Sequence, residues 1–106
     1  MIYMITTTSN SKEILEKIAN LLIEKKLSPC SQISSDVESI YLWEDKIEKN
    51  KEFLLTIKTN KSNIEEINNL ILDYHNYDVP EVIVNKSQII NNDYKDWFNQ
   101  NIKGGE

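Results

Sequence analysis

His75 is the only histidine and Cys30 the only cysteine in a chain of 106 residues, so between them they bound the metal and nucleophile chemistry available. One imidazole does not make a tight transition-metal site, because copper takes several nitrogen or sulfur donors. A threefold assembly would gather three His75 rings only if they lay near its axis. The plainer expectation is that His75 hydrogen-bonds at the end of a helix, aided by the helix dipole. A lone cysteine is ordinarily a small buried packing residue, and no second Cys or His stands near Cys30 to activate its thiol. There is no Ser-His-Asp or Cys-His set and no paired-carboxylate motif, and two glycines cannot build a Gly-rich phosphate loop. No catalytic residue is assigned, no enzyme activity is expected, and no cofactor is required.

The aromatic and charged residues are more suggestive. Tyr41 and Trp43 stand beside a knot of charges in "SIYLWEDKIEKNKEFLLTIKT" (39–59), and Tyr94 and Trp97 are three apart near the end. Four such rings can form a ligand box or anchor a subunit interface. The interface is favoured, since Tyr and Trp supply large contact area at low entropy cost. The charged residues Glu44, Lys46, Glu52, Lys58 and Glu81 read by themselves as a solvated face.

Three helices are readable among the elements that must position these side chains. In "SNSKEILEKIANLLIEKK" (9–26), Ile14, Ile18, Leu21 and Leu22 recur at helical spacing, with lysines in the last turn and Asn10–Glu13 as a capping pair. In "SNIEEINNLILDY" (62–74), Ser62 and Glu65 match a capping box before the stripe Ile64, Ile67, Leu70, Ile71. In "NDYKDWFNQN" (92–101), Tyr94, Trp97 and Phe98 share a face behind Asp93.

Strands fill the gaps: 2–8, 31–43, a partner from about Lys46 to Thr59, and "PEVIVN" (80–85) opened by Pro80. On the second strand Ile33, Val37, Tyr41 and Trp43 are expected on one side. The order β-α-β-β-α-β with an extra C-terminal helix predicts an α+β, ferredoxin-like sandwich in one domain spanning 1–106. The middle two strands are about twice the usual length. They make a hairpin that outruns the sheet, with unpaired edges and uncovered aromatics. Such a ribbon needs a partner, most simply another copy of the chain.

Composition narrows the class. The net charge is −5, from seventeen acidic residues against twelve basic ones, all lysines. That argues against a nucleic-acid binder and against an anionic membrane surface. No stretch approaches the ~20 apolar residues of a membrane span, and the opening "MIYMITTT" lacks the basic region of a signal peptide. With a single cysteine no internal disulfide forms. The expectation is a soluble, cytoplasmic protein.

Several of these residues together carry a resemblance. Tyr41-Leu-Trp43-Glu44-Asp45-Lys46, Glu52, Lys58-Thr59, His75-Asn-Tyr77, Pro80-Glu81, Tyr94-x-x-Trp97 and the "KLSPC" at 26–30 resemble, in order and spacing, the motifs of the CutA divalent-cation tolerance proteins. The resemblance covers Ile2 to about Asn99. It implies a ferredoxin-like subunit, similar to the nitrogen-regulatory PII proteins, packed as a stable homotrimer. The long hairpin would pair with neighbours, with Tyr41, Trp43, Tyr94 and Trp97 at the trimer interface. It implies a role in tolerance to copper and other divalent cations, with weak copper binding and an unidentified protein partner. It also implies a crevice between subunits, lined by Trp43, Glu44, Lys46, Lys58, Tyr77 and Glu81, in which Lys58 and Glu81 would hold a small anion or polar ligand. The alternative function is therefore a PII-like sensor. Asp45 and Asn76 stand where the family has Gly and Pro, and both suit turns and left-handed backbone. Where copper-binding members have a Cys and a His pair, this chain has Thr7, Tyr74 and His75, which leaves His75 as the good metal ligand.

Overall fold

The computed structural model describes residues 1–105. Its elements run β1 (Ile2–Ser9), α1 (Lys12–Glu24), β2 (Cys30–Trp43), β3 (Lys46–Thr59), a 3-10 turn (Lys61–Asn63), α2 (Ile64–Tyr74), β4 (Ile83–Ser87) and α3 (Asn92–Gln100). The strands form one antiparallel sheet in the order β2-β3-β1-β4. α1 and α2 bury Leu15, Ile18, Leu22, Ile67, Leu70 and Ile71 in one core with Ile5, Leu55 and Ile57 of the sheet. A smaller core joins Ile2 to Phe98 and Ile102, with Met4 packed against it, so α3 covers part of the opposite sheet face. The α+β class and the element order agree with the sequence reading.

The helix ends differ from it. α1 is capped by Ser11, whose Oγ accepts from Ile14 N at 3.3 Å, rather than by Asn10. Asn10 N donates instead to the Tyr77 hydroxyl. The lysines lie just beyond the helix. Lys25 is the C-cap and Lys26 takes φ 58. The Lys26 N–H reaches Ile23 O and the Leu27 N–H reaches Leu22 O, the paired bonds that close a helix through a left-handed residue. Ser62 does not form the expected capping box. Its hydroxyl donates to Asn60 Oδ1, and α2 starts from the 3-10 turn. Asn63 at that start donates to Leu27 O and Lys103 O, so its side chain serves packing rather than capping. α3 is capped by Asn91, whose Oδ1 accepts from Tyr94 N at 2.9 Å.

Two strand expectations also change. β4 begins at Ile83 rather than Pro80, because only Ile83–Ser87 finds partners on β1. On β2, a bulge between Ser34 and Val37 opposes three steps to two on β3 (Ser34↔Leu54, Val37↔Glu52), with Asp36 at φ 61. One extra residue reverses the alternation of faces. Ile33 therefore faces the helices opposite Leu55. Val37, Tyr41 and Trp43 face the other way, opposite Glu52, Glu48 and Lys46.

The hairpin itself is as long as expected. β3 pairs with β1 only from Phe53 to Thr59, so Lys46–Glu52 pairs with β2 alone. The turn Glu44-Asp45 has φ 50 and φ 63, the two positive values of the tight turn that suits a twisted hairpin. Strands of fourteen residues run about 45 Å, and the molecule measures 46 × 26 × 20 Å. Its radius of gyration, 14.6 Å, exceeds the roughly 13 Å of a compact chain this long. The ribbon projects.

Candidate functional site at the base of the hairpin

The ribbon emerges where β1 ends, and the chain after α2 crosses that point. Helix α2 stops at Tyr74, and His75 turns extended as its C-cap at ψ 147. His75 Nε2 lies 2.8 Å from Thr8 O, and Tyr77 N donates to Nδ1 at 3.0 Å. A backbone N–H can only donate, so Nδ1 is the acceptor, and Nε2 carries the proton toward the Thr8 carbonyl. Both ring nitrogens are thus engaged in one neutral tautomer. Asn76 joins the same junction, accepting from Ser9 Oγ at 2.6 Å and donating to Asn10 Oδ1 at 2.8 Å.

Tyr77 is the hinge between this junction and the ribbon. Its hydroxyl donates to Glu52 Oε2 at 2.7 Å and accepts from Asn10 N at 2.8 Å. Burial, and then the hydrogen bond to the Glu52 carboxylate, push the phenol up to about 12, against the smaller opposing effect of Asn10 N–H. Glu52 is only 6% exposed, although the six residues before it on β3 are all exposed.

Above this floor lies a groove of about 780 Å³ between the ribbon, from Glu52 out to Trp43 beside the turn, and the 77–81 segment. Trp43, Tyr77 and Glu81 of the six expected crevice residues line it, as does Tyr41. Glu44 and Lys46 lie at the exposed hairpin tip, outside the groove lining. Lys58 is further along β3, with its Nζ 5.5 Å from the centre of the Tyr94 ring and donating to the Tyr94 hydroxyl at 3.3 Å. One chain therefore divides the six residues among three places. Tyr94 and Trp97 pack together at 5.4 Å on α3, away from Tyr41 and Trp43.

The residues at the copper-ligand positions do not converge. Thr7 is fully buried, and its hydroxyl has no hydrogen-bond partner among the described residues. Tyr74 is exposed, with Lys17 Nζ 5.1 Å from its ring centre. Among the described residues no three His, Cys, Asp or Glu side chains are grouped to hold a metal ion. Cys30 is half-buried at the start of β2 rather than fully packed away, with its backbone held by Ser28 Oγ.

The sequence reading passed over Glu48 and Asp78, took Asn10 only as a helix-capping residue, and kept Glu52 only among the charged and motif residues. A signal for Glu52 did exist. It is the last charge before the apolar run Phe53–Leu55, where an exposed ribbon must enter a core.

Comparison with known proteins points one way. The family model described as "CutA1 divalent ion tolerance protein" matches residues 3–101. Protein CutA, chloroplastic, of Arabidopsis thaliana is 39% identical over 80 residues, covering 76% of this chain and 44% of the relative. The divalent-cation tolerance protein CutA of Pyrococcus horikoshii is 32% identical over 100 residues, covering 94% and 97%. The chain spans about half the length of the plant and mammalian relatives it matches, from 44% to 54%. Among solved structures, the CutA of Archaeoglobus fulgidus, described as periplasmic, superposes with a TM-score of 0.91 at 30% identity. That match covers 97% of this chain and all of the other.

Proposed function

The chain belongs to the CutA1 divalent ion tolerance family, and on that premise we propose that it serves divalent-cation tolerance as a non-enzymatic, cytoplasmic homotrimer that binds copper or another divalent cation weakly. The observation that carries the reading is the projecting hairpin. Ile40, Leu42 and Ile47 are 60%, 69% and 75% exposed on a ribbon that also exposes Tyr41 and Trp43. A soluble chain rarely leaves so much apolar surface together, and burying it is worth roughly 25 cal/mol per Å². Two more chains around a threefold axis would cover it, with Trp97, also exposed, at the joint.

Weak metal binding follows from the state of His75. A cation competing for either nitrogen must displace the Tyr77 amide or the Thr8 carbonyl. The test is a Cu(II) titration of metal-free protein against a competing chelator, beside light scattering on the same sample. We expect a trimer whose copper affinity is no better than micromolar and unchanged by His75→Ala. Submicromolar, saturable binding lost in that variant would replace the accessory role with a dedicated site.

A second reading, a PII-like sensor with a small ligand, is favoured by the groove. Its volume suits a small molecule, and the hydrogen bond from Tyr77 to Glu52 ties it to the α2–β4 connection.

A further inference from the structure

We propose that Tyr77 is a brace that fixes the direction in which the hairpin leaves the sheet, by bridging the end of β1 to Glu52 at the ribbon's root. Two breaks in the sheet fall at one level there. β1 pairs with β3 only as far as Ser9↔Phe53. The bulge in β2, with Asp36 at φ 61, lies opposite that same Phe53, between Ser34↔Leu54 and Val37↔Glu52. Beyond this level two strands run on alone. A two-stranded ribbon twists more than a wider sheet, and a bulge bends it. In register, Asn10 would be the next partner of Glu52, but the chain turns away there into α1. The Tyr77 hydroxyl takes the missing place, accepting from Asn10 N at 2.8 Å and donating to Glu52 Oε2 at 2.7 Å.

The tyrosine is itself held to the end of β1. Its N–H donates to His75 Nδ1, His75 Nε2 lies 2.8 Å from Thr8 O, and Asn76 is bonded to Ser9 and Asn10. On the ribbon side it stands alone. Among the described residues no other side-chain hydrogen bond and no ion pair joins the body of the subunit to 37–43 or 46–52, and the Asn50–Tyr41 bond stays within the ribbon. The lever is long. Residues 46–52 make about 23 Å of strand. A swing of about 20°, the twist between neighbouring strands, carries the tip about 8 Å. That exceeds the ~4.8 Å between paired strands, so an unbraced ribbon would present Ile40, Leu42 and Ile47 out of register with a neighbouring copy. This consequence for assembly rests on the trimer reading, whereas the brace rests on the subunit's own geometry.

The test reads the ribbon's direction and the assembly separately. In the full chain with Cys30→Ser, spin labels at Glu16→Cys on α1 and Lys46→Cys at the ribbon tip report one distance by double electron–electron resonance. Labelled chains are diluted in unlabelled ones so that the distance lies within one subunit. We expect one narrow distribution, widening toward about 8 Å in Tyr77→Phe, which keeps the ring and removes both bonds. Glu52→Ala should widen it as much and the double variant no further, because partners in one interaction lose it only once. Glu52→Gln, whose amide oxygen still accepts, should keep it narrow. Tyr3→Phe removes a hydroxyl elsewhere on the sheet and should change nothing. Light scattering on dilution should show the Tyr77→Phe assembly coming apart at a concentration at least about tenfold higher, as loss of a hydrogen bond to a charged group implies. An unchanged distribution in Tyr77→Phe overturns the proposal, as does additive widening in the double variant or widening by Tyr3→Phe. If Glu52→Ala does not fold, Tyr77→Phe against Glu52→Gln and Tyr3→Phe decides. An assembly loosened at unchanged distance refutes the brace and leaves the trimer reading intact. A monomeric parent chain whose distance responds to Tyr77→Phe does the reverse.

Discussion

Replacing His75 separates a structural ring from a metal ligand. The ring makes two hydrogen bonds, to Thr8 O and from Tyr77 N, and its centroid lies 4.8 Å from that of Tyr77. Each hydrogen bond contributes about 1 kcal/mol net, and a tilted aromatic pair about 0.5 kcal/mol more. His75→Ala should therefore cost about 2–3 kcal/mol. His75→Gln should cost about half that, because its amide still donates toward Thr8 O while the Tyr77 N–H loses its acceptor. Urea unfolding at one fixed chain concentration measures both, with an expected midpoint shift of about 1 M for the alanine variant. Amide exchange at Tyr77 should quicken in both variants, reporting the lost acceptor directly. A neutral His75→Ala, with Tyr77 exchange unchanged, would refute the reasoning and free the ring for a cation.

Other expectations follow from the same geometry. Trp43→Ser or Tyr41→Ser should give monomer or aggregate at low micromolar concentration, read by size exclusion with light scattering; a persisting trimer would count against pairing through the hairpin. Lys26→Gly should raise stability by about 0.5–1 kcal/mol, because a side chain at φ 58 is strained and glycine is not; a lower thermal midpoint would show that the lysine is compensated. Tyr77 titrates at about 12 rather than 10, so the native state holds its proton more tightly than the unfolded chain does. Its contribution is full below pH 10 and lost as pH rises through 12. Ultraviolet titration of the five tyrosines should show the late step, and Tyr77→Phe should remove both it and its share of the alkaline loss.

Element types and order were legible because each follows from local pattern. The stripes Ile18, Leu22 and Ile67, Leu70, Ile71 mark helices, and Phe53, Leu55, Ile57 mark a strand, from spacing alone. Caps were less legible, because candidate donors and acceptors crowd each helix start. Ser11 rather than Asn10 takes the position that backbone geometry selects, and Ser62 forms no capping box at all.

By itself the sequence determined the mixed α+β elements, a hairpin too long for its own sheet, and a family. These rest on periodicity, strand length and motif order, all properties of neighbours along the chain. Only the tertiary structure decided which groups meet. The bulge at Ser35–Asp36 set which ribbon face carries Tyr41 and Trp43. The return of the chain after α2 brought Tyr77 across 25 positions to Glu52 and occupied both nitrogens of His75. Such contacts depend on the path of the backbone through space. Residue types make them possible, but only the fold chooses among the many carboxylates and hydroxyls that could have served.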